Sequence, residues 1–245
     1  MKKLLLTAAI AAVSTSAIAD DKLYVRGDVG ASFIPKDSMA ANTTNVNSTL
    51  AGIAVAVPVQ IAKSKSKITN HLVADLGVGM YISDMVRVEL NLANHFNSEQ
   101  NFKPTLSVAG VNVGSASIKA KFKATSLNAK FVADVYNFGY GDVFLGAGLG
   151  LTKLSSKRAF SFSPSNAITS TTTYTYKTKA KNNMNFLVTA GIAFDVAEGV
   201  KIDVAYSYND HGKTNDAKDI NGKKVTGTKL RFRTHDVTAG VRVEL

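Results

Sequence analysis

The sequence predicts an all-β chain, an eight-stranded antiparallel up-and-down transmembrane β-barrel with four long outer loops. Three observations predict it. Apolar and polar residues alternate in eight segments, which is the period of a strand. The connections between those segments alternate long and short, as in a barrel threaded through a membrane. The apolar faces carry no charged residue, whereas the opposite faces carry Arg26, Asp28, Asp75, Arg87, Glu89, Lys130, Asp134, Lys201, Asp203, Arg242 and Glu244. A Lys or Arg facing lipid costs about 2–4 kcal/mol near the midplane, so these charges belong inside. A soluble β-sandwich also alternates, but it would turn its charged face to bulk water.

Residues 1–19 stand apart from this pattern. Lys2 and Lys3 form a basic start, Leu4 to Val13 is apolar, and Ala17-Ile18-Ala19 fits a small-x-small cleavage site. The segment reads as a secretory signal, leaving 20–245 as the barrel domain. The apolar run is too short to span a bilayer, which takes about 20 residues. The chain has no cysteine, so an exported protein of this kind must hold itself without disulfides.

The first strand covers Leu23 to Phe33 and stops before Pro35. A long Asn-, Thr- and Ser-rich connection follows, with one apolar alternating piece at Ile53 to Ile61. The second and third strands form a hairpin over Leu72 to Phe96. Centring its turn so that Tyr81 faces Met85 makes the two apolar faces coincide and sets His71 opposite His95 at the outer mouth. A second long connection spans 97–126. Strands four and five run over 127–136 and 143–152, joined by the glycine-rich turn Asn137 to Asp142. The third long connection spans 153–183. Strands six and seven, 186–194 and 200–208, are joined by Ala197-Glu198-Gly199. The fourth long connection spans 209–235, and the last strand is 237–245. Aromatics gather at strand ends, with Phe33, Phe96, Phe186, Tyr206 and Tyr208 at one level and Tyr24, Tyr136, Phe138, Tyr140 and Phe194 at the other. They suggest two interfacial girdles. Ile53–Ile61 and Leu106–Val113 could be two further spanning strands, giving ten. Pro58 and the nearby Lys63, Lys65 and Lys67 favour a loop, since proline suits edges.

The signal, the eight strands, the four long loops and the closing strand Val237-Thr-Ala-Gly-Val-Arg-Val-Glu-Leu245 resemble the eight-stranded outer-membrane barrels. The OmpA-type transmembrane domain and the opacity-type surface antigens are closest in plan, and rickettsial surface adhesins are similar in size and basic loops. The last strand is similar to the signal such proteins present to the barrel-assembly machinery, but it ends in Leu245 rather than Phe. The resemblance implies a bacterial cell outer membrane, contact with its lipid, extracellular loops, and no peptidoglycan-binding domain after the last strand.

Charge says most about partners. The chain carries a formal net charge of +11. The four long connections together carry +16, while the rest of the chain after residue 19 carries −7. The candidate partner-binding residues are Lys63, Lys65, Lys67, Lys119, Lys121, Lys123, Lys157, Arg158, Lys177, Lys179, Lys181, Lys223 and Lys224. Positive loops attract polyanions and speed encounter. The expected partners are a host-cell surface protein, a sulfated glycan, or anionic head groups of the protein's own leaflet. A solvated, charged surface that only prevents aggregation is the plain alternative. Nucleic acid is not expected, because the compartment is wrong.

Inward, Arg26, Asp28, Asp75, Arg87, Glu89, Lys130 and Asp134 form a candidate polar network. An eight-stranded barrel has room for little besides its own side chains. Arg26-Gly27-Asp28 spells an integrin-recognition tripeptide, but mid-strand it points inward and is read as coincidence. His71 and His95 could form a metal site or a pH-sensitive latch, though two ligands lack a third. No cofactor is expected. No spacing fixes a nucleophile beside a base, so no enzyme is expected either. The leading functional reading is a surface protein of adhesin or invasion type whose basic loops bind an external partner. A structural barrel or narrow porin is the alternative, and a lipid-modifying enzyme the third.

Overall fold

The computed structural model describes residues 23–35, 49–50, 53–54, 60–61, 70–102, 105–108, 111–164, 172–177, 179–215, 217–218, 224–225 and 231–245. Eight long strands build it: β1 (Leu23–Phe33), β2 (Asn70–Ser83), β3 (Val86–Phe102), β4 (Val111–Asn137), β5 (Gly141–Pro164), β6 (Lys181–Ala197), β7 (Val200–Lys213) and β8 (Arg231–Glu244). Each pairs antiparallel with the next, and β8 pairs back onto β1 from Tyr24↔Glu244 to Phe33↔His235. The sheet is closed, as eight strands require when no edge can face lipid.

The predicted faces are present and inverted relative to a soluble protein. Outward, Leu76 is 69% exposed and Leu149 62%; inward, Arg87, Asp203 and Arg242 are 0% exposed. Apolar side chains continue round the wall from Val29 on β1 to Val241 on β8. So continuous an apolar band far exceeds the few hundred Å² found on soluble monomers and marks the surface in contact with lipid. No helix among the described residues is long and apolar enough to cross a membrane.

The turns at the other rim are short for local reasons. Gly199 takes φ +70° between β6 and β7, and Gly139 takes φ +96° between β4 and β5. In the latter turn the Asn137 side-chain amide donates to Asp142 at 2.7 Å, and its oxygen accepts the Gly139 N–H at 2.9 Å.

Three sequence expectations need correction. First, Tyr81 pairs with Arg87, not Met85, and His95 lies opposite Val73. The turn pairs Ser83 with Val86 and a one-residue bulge between Tyr81 and Ser83 follows; together they leave the register two residues from the expected one, so the apolar faces still coincide and both histidines still point inward. Second, the second and third long connections are largely strand. β3 runs on to Phe102, β4 starts at Val111 and β5 reaches Pro164, with Thr172–Lys177 paired onto it. At about 3.3 Å per residue β4 is about 90 Å long, several times the 9–11 residues a membrane strand needs. Third, Tyr24 is not in a girdle: it is 1% exposed and lies in the lumen. The ten-strand alternative is not observed. Gln60–Ile61 and Thr105–Val108 pair with each other, and Thr105–Val108 pairs with the outer part of β4 rather than spanning.

Glycines at the closing seam leave no room for a side chain, Gly30 on β1 and Gly240 on β8 among them. A Cβ on Gly30 would meet the backbone of Val237 and Thr238 on β8. At Gly27, on the outer face, the nearest atom to such a Cβ is Leu76 Cδ2 at 3.4 Å, an ordinary contact. Gly30→Val is therefore expected to abolish the compact species that resists SDS until boiled, while Gly27→Ala leaves it intact. Normal folding of Gly30→Val would show that the β1–β8 seam is looser than described.

Candidate functional site: a filled lumen and a lysine-bearing outer face

Two surfaces can carry function, the inside of the barrel and the outside of its long strands. The inside is built around Glu89 on β3. Its carboxylate accepts from Tyr24 Oη at 2.8 Å, lies 2.6 Å from Lys130 Nζ, and lies 3.3 Å and 3.5 Å from Arg87 and Arg26. Arg26 Nε also donates to Asp28 at 2.7 Å, and Arg87 pairs with Asp134. Asp75 accepts from the Asn91 side-chain amide beside this network.

All seven predicted lumen residues therefore share one barrel interior. Sequence reasoning placed Asp203 and Arg242 on the inward faces without assigning them to the network. Arg242 Nη2 donates to Asp203 at 3.1 Å and Nη1 to Tyr81 Oη at 2.8 Å. The Arg87 guanidinium also sits 5.0 Å from the Phe144 ring centroid, a cation–π contact. The tripeptide Arg26-Gly27-Asp28 has its two charged members paired to each other inside, away from any integrin.

Nearer the outer mouth the filling changes character. His95 Nε2 lies 3.0 Å from Asp236, which also accepts from Ser32 and from Asn209 at 2.7 Å. His211 lies 3.3 Å from both Ser126 and Thr152, and its ring centroid is 4.7 Å from that of His95. The His71 centroid is 5.8 Å from that of His95. Beyond them Phe122 and Phe232 stack at 5.1 Å, in a cluster with Ile34, Ala120, Ala124 and Leu154. Among the described residues no group of three or more His, Asp or Glu side chains could hold a metal. The Ser126–His211 contact is buried beneath this layer, out of reach of a substrate. Sequence reasoning found His71 and His95 but not His211, which lies in the bulge between Asp210 and Lys213; the signal it passed over is Asp210-His211-Gly212, where Gly212 takes φ +78° and its N–H donates to Asp210.

Of the predicted partner-binding residues, Lys119, Lys121 and Lys123 on β4 and Lys157 on β5 are exposed on the outer face. Lys121 sits directly opposite Lys157. Lys153, which sequence reasoning left out of the candidate set, is exposed on the same face of β5, opposite Thr125. One acidic residue intervenes: Glu99 pairs with Lys121 at 3.0 Å. Lys179 is exposed and Lys181 half-buried in the run leading into β6. Arg158, Lys177 and Lys224 are placed by backbone alone, on β5, on Thr172–Lys177 and on Lys224–Val225. Lys63, Lys65, Lys67 and Lys223 lie outside the described residues. The far wall differs. There Arg231 and Arg233 both converge on Asp210, which offsets one of their two charges.

An apolar outer belt, a lumen filled by its own charges and long connections on one side define an eight-stranded β-barrel of the bacterial outer membrane, its loops extracellular. The chain is 32% identical over 259 residues to a Rickettsia bellii (strain OSU 85-389) protein named "Putative adhesin", covering all of both chains. It is 29% identical over 252 residues to one of the same name from Rickettsia felis, again covering all of both. The chain belongs to this family of rickettsial surface proteins of adhesin type. No family model matches it. Among solved structures it is similar to Neisserial surface protein A (TM-score 0.48, 16% identity, 91% of this chain and 97% of that one). It is also similar to OprG from Pseudomonas aeruginosa (TM-score 0.48, 11% identity, 93% and 99%).

The lumen makes a clear demand on stability. Removing one partner of a buried ionic network costs about 3–5 kcal/mol, because the other charges are left uncompensated. Glu89→Gln leaves Lys130, Arg26 and Arg87 facing an amide. It is expected to lower unfolding free energy in urea by about that amount, and Glu89→Gln with Lys130→Met to recover part of it. Equal stability of Glu89→Gln and wild type would mean that the lumen charges are independently solvated.

Proposed function

We propose that this chain is an adhesin-type surface protein that captures an external polyanion, a sulfated glycan in the first instance, on the outer face of β4 and β5. The supporting observation is the placement of Lys121 directly opposite Lys157, with Lys119 on the same face. Like charges directly opposite each other on a sheet are destabilising. A surface needed only for solubility would intersperse both signs. Residues two apart on one face are about 6.6 Å apart, so the ladder presents charges at the spacing of a flexible anionic chain.

The names of the relatives support the adhesin-type role. The barrel serves as a mount: closure and the lumen network hold β4 and β5 in fixed register, and that register fixes the charge ladder. A narrow porin is less well supported, since ion passage would have to cross the Glu89 network and the stacked Phe122–Phe232 layer.

Affinity carried by charge is lost with salt. The refolded barrel is expected to bind immobilised heparin and elute well above physiological salt. A variant with Lys119→Gln, Lys121→Gln and Lys157→Gln is expected to elute near or below physiological salt while folding normally. Lumen variants that still fold should elute as wild type does. Unchanged elution of the triple variant would overturn the assignment to this face.

A further inference from the structure

The lipid-facing wall is not smooth. On the outside of β3 to β6 lies a shallow, wide-open depression of about 590 Å³, lined by Ala129, Phe131, Ala147, Gly148, Leu149 and Phe186 among others. Small residues face each other's large neighbours here, with Ala129 opposite Leu149 and Phe131 opposite Ala147. The missing side-chain volume leaves the depression. At this level of the belt, only hydrocarbon can occupy it.

The rows above it on the same strands follow in order. Leu127, Leu151 and Met184 form the last apolar row, 45%, 60% and 75% exposed. The next row is Thr125, Lys153 and Asn182, and the one beyond holds Lys123 and Ser155. Each row is about 6.6 Å further along the strand. Lys153 and Lys123 thus stand at the level where head groups begin, with stems long enough to reach down along the apolar surface. No carboxylate among the described residues pairs with either, in contrast to Lys121 one row further out and to the Arg231–Asp210–Arg233 group on the opposite wall.

We infer that this strip of wall is a lipid site: an acyl chain of an anionic, phosphate-bearing outer-leaflet lipid lies in the Ala129–Ala147–Gly148 recess while Lys153 and Lys123 bind its phosphate. Both halves of the lipid are matched in the right order and on adjacent strands. A membrane surface attracts basic residues at head-group level, and a fixed recess beneath them adds a place for one particular chain. The site is separate from the glycan-binding face, which begins at Lys121 and Lys157, further from the membrane. It rests on the membrane placement of the belt and not on the identity of the external partner.

Barrel refolded in a zwitterionic detergent is titrated with diphosphorylated lipid A, with the same lipid dephosphorylated, and with phosphatidylcholine, and bound lipid is counted by native mass spectrometry. One diphosphorylated lipid A per barrel is expected, with retention reduced about tenfold or more by Lys123→Gln with Lys153→Gln. Ala147→Phe, which fills the recess without touching a charge, is expected to reduce it as well. Lys119→Gln with Lys157→Gln is expected to leave lipid retention unchanged and to weaken heparin binding, which separates this site from the proposed glycan surface. Equal retention of the dephosphorylated lipid would overturn the inference, as would wild-type retention in the Lys123/Lys153 or Ala147→Phe variants. So would a loss of heparin binding in place of lipid binding when Lys123 and Lys153 are changed.

Discussion

Hydrocarbon offers a peptide group nothing to bond to. Everything in this molecule depends on that constraint, because it obliges the sheet to close and fixes which side of each strand must be apolar. The seam between β1 and β8 discharges the obligation. It has no room for a Cβ at Gly30 or Gly240, and it completes a ring in which each strand's backbone groups meet a neighbour. Once closed, the sheet has one face in lipid and one face around a space too narrow for much water. Charges excluded from the first face collect on the second and are tolerable there only as a network. The Glu89 cluster and the Arg242–Asp203 pair are the form that network takes.

The same closure explains why function moves outward. A lumen filled by Tyr24, Arg26, Arg87, Lys130 and Phe144 has little left to offer a ligand. Further out, the His71–His95–His211 layer and the Phe122–Phe232 stack continue the filling to the mouth. What remains is the outer surface of strands that outrun the membrane. β4 and β5 are the longest, and they carry a row of exposed lysines, of which Lys121 pairs with Glu99. The chain uses its rigid part to hold a charged face in register. On the opposite wall Asp210 pairs with both Arg231 and Arg233, and under the proposed function the exposed lysines of β4 and β5 form the binding side.

The sequence made the belt legible because period two is a strong signal when one face touches lipid and the other touches charge. Leu72 to Phe96 could be assigned face by face on that ground alone. It was less informative wherever a bulge intervenes. The turn at Ser83–Val86 and the extra residue at Tyr81–Ser83 together displaced the hairpin register by two, which preserves every face and so leaves no trace in the pattern. The bulge between His95 and Ser98 inverts the faces of β3 beyond it, and that is why Glu99 points out to meet Lys121. Outside the membrane the alternation persists with its polarity reversed, Lys119, Lys121 and Lys123 facing out and Ala120, Phe122 and Ala124 packed on the apolar cluster inside, so a search for an apolar outer face passes over it. Residues 97–102 and 111–126 therefore read as loop although they are paired strand. Tyr24 was assigned to a girdle by its place near a strand end, but its hydroxyl is needed by Glu89. The lysines of the outer face were visible as composition. Their alignment into one ladder was not, because it depends on the cross-strand register of β4 and β5.

The chain has no tryptophan, which makes one measurement especially direct. Phe131→Trp and Phe144→Trp each introduce a single indole, the first on the outer wall and the second in the lumen, 53% and 0% exposed in the parent residues. In vesicles of lipids brominated on the acyl chains, the indole at 131 is expected to be strongly quenched and the one at 144 to keep its emission. Equal quenching at both sites, or none at either, would contradict the inside-out barrel on which the whole account stands.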